Sequence, residues 1–310
     1  MKVAIGQLCS SSNISKNLKT VLKIIENVIA TKDVKILFLP EATDYISSSA
    51  SHSIELSKNV ENLFLNPLLS YIKNLNKNQS VKLPYISIGI HLPSTTTTKT
   101  EKVRNLNLLI DPNGEIISKY QKLHLFDVDI PQGPILKESN SVEKGNEIVD
   151  PISIENTPAI LGLAICYDIR FPELALKLRK KGANIIIFPS AFTVKTGEAH
   201  WEILSKSRAI DTQSFIINAA QCGKHNVGST NEGSNNGSTR ISYGDSLIID
   251  PWGKILNRCK KFNELTNEQK ENSDEYYEIV TADLDFNELD KIRINMPLID
   301  HRRNDIFGEL

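Results

Sequence analysis

The feature that most limits the folds open to this chain is that it repeats itself. LLIDPNGEI, from Leu108 to Ile116, returns as LIIDPWGKI, from Leu247 to Ile255, and LFLPEA, ending at Ala42, returns as IIFPSA, ending at Ala191. In the first pair Asp, Pro and Gly fall at the first, second and fourth positions of a β-turn, where each is favoured. Both segments therefore read as β-hairpins. In the second pair an apolar strand runs into a proline and stops. Matching strand ends half a chain apart imply two βαββαβ-like halves facing each other, and hence two packed sheets with helices outside.

The rhythm between the repeats is that of an α/β protein. VAIGQL and VKILFLP are short β-favouring runs separated by apolar residues at helical spacing, Leu18, Val21, Ile24, Ile25 and Val28. A second helical region covers roughly 53–75. YISIGIHL, LNLLID and EIISKYQK follow as strands, then AILGLAIC, NIIIFP and SFIINAA, with helices expected at Glu173 to Lys181 and Glu198 to Gln213. SLIIDPWGKILNR and YYEIVTADL supply the last strands. The polar tracts at 94–101, 226–239 and 260–275 are expected to be solvated surface insertions in a single domain spanning 1–310.

Charge narrows the class of partner. Lys and Arg number 36 against 37 Asp and Glu, so no basic excess favours nucleic acid or an anionic membrane surface, and a small-molecule substrate is the expectation. The cysteines at 9, 166, 222 and 259 show no C-x-x-C spacing, which argues against a disulfide framework or structural zinc. MKVAIGQLCS lacks the long apolar region of a signal peptide. A cytosolic protein is expected, with a mitochondrial pool left open, and the sequons at Asn13, Asn78 and Asn236 read as chance matches.

In α/β sheets reactive groups gather beyond the carboxyl ends of strands. Three such ends carry chemistry here: Glu41 after ILFLP, Lys122 after SKYQ and Cys166 after LGLAI. Singly, each has a bland reading as a cap, a solvated charge or a small buried hydrophobe. As a set they are complementary. A thiol with an ordinary pKa near ~8.5 needs a base or a cationic neighbour to become a nucleophile. Glu41 supplies the base; Lys122 is expected to lower the thiol pKa and to bond an oxyanion, together with the backbone N–H of Tyr167. No metal or cofactor is needed. His124 and His200 have no partner His at ligand spacing, and both read as structural hydrogen-bonding groups; Cys9, Cys222 and Cys259 read as structural thiols.

FLPEATDY, YQKLHLFDVD, GPILKES, AICYDIRFPE and FPSAFTVKTGEAHWE together resemble the nitrilase superfamily of carbon–nitrogen hydrolases, over a span from Val3 to near Phe307. TGEAHWE, NAAQCGKH and SYGDSLIIDPWG carry a narrower likeness to its Nit branch. The resemblance implies a four-layer α-β-β-α sandwich, assembly at least into a homodimer, and a Glu41, Lys122, Cys166 triad. It implies that Glu138 of GPILKES positions groups or activates water near the triad; a plain ion pair with Lys122 is the alternative. Arg170 would grip a substrate carboxylate with its planar guanidinium, the alternative being a salt bridge to a neighbouring acid. Asp168 and Glu173 would be helix-entry groups, and Phe192 and Thr193 a substrate-binding turn.

The implied reaction is hydrolysis of deaminated glutathione to 2-oxoglutarate and cysteinylglycine through a cysteine thioester, with Lys195 and Glu198 lining the leaving-group side. An ω-amidase acting on 2-oxoglutaramate and a non-catalytic interaction module are the alternatives. Asp245 departs from the pattern, since several relatives have His there.

Overall fold

The computed structural model describes residues 1–77, 82–96, 101–129, 135–228 and 240–308. The Asn78 and Asn236 sequons and most of the 226–239 insertion lie outside the described residues, as do 97–100 of the insertion at 94–101.

Two sheets carry the fold, and they share one topology. In the N-terminal sheet Lys2–Leu8, Val34–Phe38 and Tyr85–Pro93 run parallel, and the hairpin Val103–Ile110 and Ile116–Gln121 is added antiparallel on one side. The other edge is the antiparallel strand Tyr277–Asp283. In the C-terminal sheet Ile160–Leu163, Ile185–Ile187 and Phe215–Asn218 are parallel, the hairpin Leu247–Ile249 and Ile255–Arg258 follows, and Ile152–Ser153 closes the far edge. Each half is therefore βαβαβββ rather than the expected βαββαβ. The correction has a simple cause: each parallel pair needs a helical crossover, whereas the tight Asp-Pro turn can only reverse the chain.

The repeated turns are alike in detail. Asp111 N–H donates to Glu115 O and Gly114 N–H to Asp111 O; Asp250 and Gly253 make the same bonds with Lys254 O and Asp250 O. Asp111 Oδ1 accepts from the N–H groups of Asn113 and Glu115, and Asp250 Oδ1 from those of Trp252 and Lys254. Gly114 (φ +76°) and Gly253 (φ +86°) supply the left-handed residue that the turn requires.

Helices cover the outer faces. Ile14–Ala30 begins at Asn13, whose side chain accepts from Lys16 N–H, and buries Ile14, Leu18, Val21, Ile24, Ile25 and Val28 along one stripe. The helical region expected over roughly 53–75 is Ala50–Val60 and Asn66–Asn76 joined by a π-helical turn, Glu61–Leu65, which buries the adjacent Phe64 and Leu65. On the other side lie Pro172–Lys180 and Glu202–Thr212; the latter is preceded by the short helix Val194–Thr196 and the π turn Gly197–Trp201.

Alternation along the strands makes the layers. Val3, Ile5, Ile36, Phe38 and Leu109 face the central cluster, where they meet Leu161, Leu163, Ile185, Ile187 and Ile217 of the other sheet. Their neighbours Ala4, Leu37, Leu39 and Leu108 pack against Ile14–Ala30 and the 50–76 helices. This is the four-layer α-β-β-α sandwich. Among the described residues no helix is long and apolar enough to cross a membrane.

The 260–275 stretch is not the loose loop its charge suggests. It folds as Phe262–Glu264, Asn267–Glu271 and Ser273–Glu275, with Thr266 and Gln269 forming a capping box. Leu265 and Ser273 are buried, and Leu265 packs with Cys222 and Tyr276 in a small separate cluster. Two or three buried residues suffice to order a segment whose other side chains are solvated.

Candidate active site

Glu41 is set by a turn stapled to its neighbouring strand. Gly89 N–H donates to Pro40 O, Thr43 N–H to Gly89 O, and Thr43 Oγ1 to Pro40 O. The approach is so close that a Cβ at Gly89 would lie 2.5 Å from Glu41 Cα, which is why this strand position is glycine. Lys122 is the first residue after Ile116–Gln121, and its N–H donates to Asn105 O.

Cys166 stands where Ile160–Leu163 gives way to the 3-10 turn Cys166–Arg170, with φ +46°, a conformation that non-glycine residues rarely adopt and that marks strained functional turns. Its N–H donates to Pro189 O. The turn is anchored by Asp168, which is fully buried and accepts four hydrogen bonds: from Ile165 N–H, Tyr120 Oη, His124 N–H and His124 Nδ1. Asp168 therefore does more than favour a helix start. It holds the cysteine elbow from below and ties it to the Lys122 segment of the facing sheet. Glu173 does sit in the first turn of Pro172–Lys180.

These elements bring Glu41, Lys122, Glu138 and Cys166 together. Lys122 Nζ lies 3.0 Å from Glu41 Oε1 and 2.9 Å from Glu138 Oε1, and the Cys166 thiol is close enough to the Glu41 carboxylate and the Lys122 ammonium for both charges to act on it. Glu138 Oε2 also accepts from Phe126 N–H at 2.7 Å. Glu41, Lys122 and Cys166 are 6%, 2% and 7% exposed, so their charges interact with little solvent screening.

Burial works against the Glu41 charge, but the Lys122 ammonium and hydrogen bonds from Cys166, Lys122 and Asn105 outweigh it and hold its pKa below the ordinary value. Burial also opposes the Lys122 charge; Glu138 and Glu41 together push its pKa well up. For Cys166 the outcome differs from the expectation. Lys122 and the Ala191 N–H do favour the thiolate, but burial and the adjacent Glu41 charge dominate and raise the thiol pKa. The lowering expected from Lys122 is thus outweighed by burial and by the Glu41 charge.

Other expected residues surround this centre. Tyr167 lies in the first turn of the 3-10 helix, where a backbone N–H has no partner within the helix. Arg170 is partly exposed; its guanidinium lies 5.8 Å from the Tyr167 ring centroid, and Nη2 donates to His200 Nδ1 at 3.1 Å. Among the described residues its side chain thus meets an aromatic ring and an imidazole rather than Asp168 or Glu173. Phe192 is buried edge-on against Trp201, and Thr193 caps the helix Val194–Thr196. Lys195 and Glu198 are exposed on that segment. His124 stacks on Phe171 at 3.7 Å.

Asp245 is buried behind Trp201. Its carbonyl accepts from Trp201 Nε1 at 2.7 Å and its carboxylate from Arg258 Nε at 2.8 Å, while burial lifts its pKa to about 6 despite that arginine. Cys9, Cys222 and Cys259 are buried free thiols.

Sequence reasoning missed Asn105. It lies inside Val103–Ile110, and its Nδ2 donates to Glu41 Oε1 at 2.8 Å and reaches Glu138 Oε1 at 3.4 Å. The available signal was a pair of asparagines at alternate positions, Asn105 and Asn107, on one face of a strand whose remaining length is mostly apolar.

Comparison with known proteins identifies the family. The profile of the carbon-nitrogen hydrolase family matches residues 2–294. The chain is 40% identical over 306 residues to a probable hydrolase, nit2, of Schizosaccharomyces pombe, covering 98% of both chains. It is 36% identical to the deaminated glutathione amidase of Mus musculus, over 99% of this chain and 85% of that one. Among solved structures, the Nit3 protein of Saccharomyces cerevisiae, a member of branch 10 of the nitrilase superfamily, superposes with a TM-score of 0.71 at 28% identity over 97% of each chain. The C. elegans NitFhit protein superposes with a TM-score of 0.79 at 32% identity, over 98% of this chain and 65% of that longer one. With this match along almost its whole length and a thiol, carboxylate and ammonium converging at the strand ends, the chain belongs to the Nit branch of the nitrilase superfamily, as a hydrolase of carbon–nitrogen bonds in amides.

Proposed function

We propose that this amidase hydrolyses deaminated glutathione to 2-oxoglutarate and cysteinylglycine, a metabolite-repair reaction. The observation that carries the chemistry is the buried Cys166 thiol beside a Glu41 carboxylate that is ion-paired to the Lys122 ammonium at 3.0 Å. The choice of substrate is supported by relatives of that name at 35% to 36% identity.

In the first half of the cycle sulfur attacks the amide carbon while its proton passes to Glu41. The oxyanion is held by Lys122 Nζ and the Tyr167 N–H. Collapse breaks the C–N bond, and Glu41 returns the proton to the departing amine, leaving an acyl thioester. In the second half Glu41 takes a proton from water as its oxygen attacks the thioester; the C–S bond breaks and the proton goes back to sulfur. Glu138 fixes Lys122 through its 2.9 Å contact. It thereby keeps the ammonium aimed while Glu41 changes charge.

Arg170, at the end of the cysteine turn, is assigned to a substrate carboxylate, for which a guanidinium held near an aromatic ring and an imidazole is pre-oriented. Phe192 and Thr193 form the turn that meets the oxo-acid half, and Lys195 and Glu198 flank the leaving dipeptide. The chain acts as a single domain in the cytosol and at least as a homodimer; exposed Ile203, Ile210 and Trp252 on the C-terminal half support the association.

The deciding experiment incubates the protein with deaminated glutathione and with 2-oxoglutaramate, measuring cysteinylglycine and ammonia separately. Higher kcat/KM for the first supports the assignment; equal or better turnover of the second makes the protein an ω-amidase. Turnover of neither overturns both substrate assignments and points to another amide; a Cys166 that also forms no acyl adduct with a panel of slow amide substrates favours the non-catalytic module. Arg170→Ala is expected to raise KM about tenfold, the loss of one charge-assisted contact, with a smaller change in kcat.

A further inference from the structure

Asn105 presents an energetic oddity. Its side chain is buried at 2% exposure, its Nδ2 faces two carboxylates, and its Oδ1 is buried without a hydrogen-bond partner. An unpaired buried acceptor is unfavourable. A leucine in the same strand would avoid that cost, so the donor end must contribute something an apolar residue cannot. The orientation is not arbitrary either. Reversing the amide would set Oδ1 against Glu41 and Glu138 and leave Nδ2 unpaired instead.

The contribution can be read from the lone pairs of Glu41. Oε1 accepts from Lys122 Nζ at 3.0 Å and from Asn105 Nδ2 at 2.8 Å, which fills both of its acceptor directions. Neither of these donors occupies Oε2, which stays open to the neighbouring thiol. We propose that Asn105 is a positioning residue that saturates Glu41 Oε1 and so makes Oε2 the oxygen that carries the proton between Cys166, the leaving amine and water. Oε1 keeps both donors through the cycle, and the carboxylate plane cannot swing. The same N–H favours the ionised form of Glu41 against the neighbouring Glu138 charge, a second effect that points the same way.

This inference rests on the assignment of Glu41 as the base for Cys166, and the test separates the two. The pH dependence of kcat/KM is measured on deaminated glutathione for the wild type, Asn105→Asp, Asn105→Ala and Glu41→Gln, with thermal melts of each. With Glu41 as base, activity rises with pH through its apparent pKa, and Glu41→Gln removes that acid limb along with most turnover.

Losing the Asn105 donor raises this pKa. The limb should move up by about 1 pH unit or more in Asn105→Asp, which adds a charge, and by less in Asn105→Ala, with kcat falling about 10- to 100-fold in both. Folded variants whose activity drops equally at every pH, or does not drop, overturn the role of Asn105 while leaving Glu41 in place. A wild-type limb that survives in Glu41→Gln overturns the base assignment itself.

A measurement without an Asn105 variant covers the case in which neither folds. With asparagine side chains labelled with 15N, the Asn105 Nδ2 resonance must titrate with the midpoint of the acid limb, and cease to do so in Glu41→Gln. A resonance that ignores pH overturns the proposal.

Discussion

By strand register and the repeated turns, Glu41 of the N-terminal half corresponds to Ser190 of the C-terminal half, Lys122 to Lys261, and Leu8 to Cys166. The scaffold is duplicated; the chemistry is not. Lys122 is buried between two carboxylates, whereas Lys261 lies 6.0 Å from the centroid of the Tyr243 ring and is partly solvated. Ser190 Oγ donates to Phe188 O, two residues away, and Leu8 fills the core against Ile14–Ala30. The same strand end therefore gives a partly solvated cation in one half and a buried cation held between two carboxylates in the other. What differs is burial together with a partner of opposite charge, not position in the fold.

The comparison breaks most readily at the sulfur. Cys166→Ala should lower kcat by at least about 10^4-fold with a melting temperature close to wild type. Leu8→Ala at the paired position should cost about 3 kcal/mol of stability yet leave kcat of the folded fraction within about threefold, as seen in chemical denaturation and initial rates. The lysines come next. Lys122→Met should reduce kcat by about 10^3-fold and destabilise the protein, since two buried carboxylates lose their counter-charge, while Lys261→Met should change kcat by less than about threefold. Near-equal losses from the two lysine variants would mean that the halves are functionally more alike than their burial suggests.

Smaller effects sharpen the contrast. Gly114→Ala should cost about 2 kcal/mol and Gly253→Ala about 1 kcal/mol in urea unfolding. Both have positive φ, but a Cβ at Gly114 would stand 2.9 Å from the Leu69 carbonyl, whereas at Gly253 the nearest atoms belong to the Ile210 side chain at 3.0 Å. The smallest difference is electrostatic. Burial raises the Asp245 pKa to about 6, above its unfolded value, so the native state holds the extra proton between these values and stability contributed by this group falls as pH rises through that window. Asp245→Asn should accordingly gain on the wild type, in melting temperature, from about pH 4 to above pH 6; a constant difference would show that Arg258 compensates the charge fully.

Much of this was visible in the chain because the relevant signals are local. An apolar run that stops at an ionisable residue marks a strand end, and Asp-Pro-x-Gly marks a hairpin, so Glu41, Lys122, Cys166 and both turns were legible. What escaped depends on register or on a single extra residue. Asn105 meets Glu41 only because Val103–Ile110 pairs with Tyr85–Pro93, placing it opposite His91. Asp168 looks like any acid at the start of a helix, and its burial beneath the facing Tyr120 and His124 comes from sheet packing. Both π turns insert one residue into an otherwise ordinary periodicity. The 260–275 segment was misread because charge dominates its composition, while Leu265 and Ser273 decide its order.

Gln221 gives the sandwich a further property. Belonging to the C-terminal half, its buried side chain donates to Ser10 Oγ and to the carbonyls of Glu41 and Ala42, and accepts from Ser10 N–H. The loop bearing the carboxylate is thus held by the half that bears the sulfur. Glu41 is carried by one layer and Cys166 by the other, so the two side chains can meet only where the layers are docked.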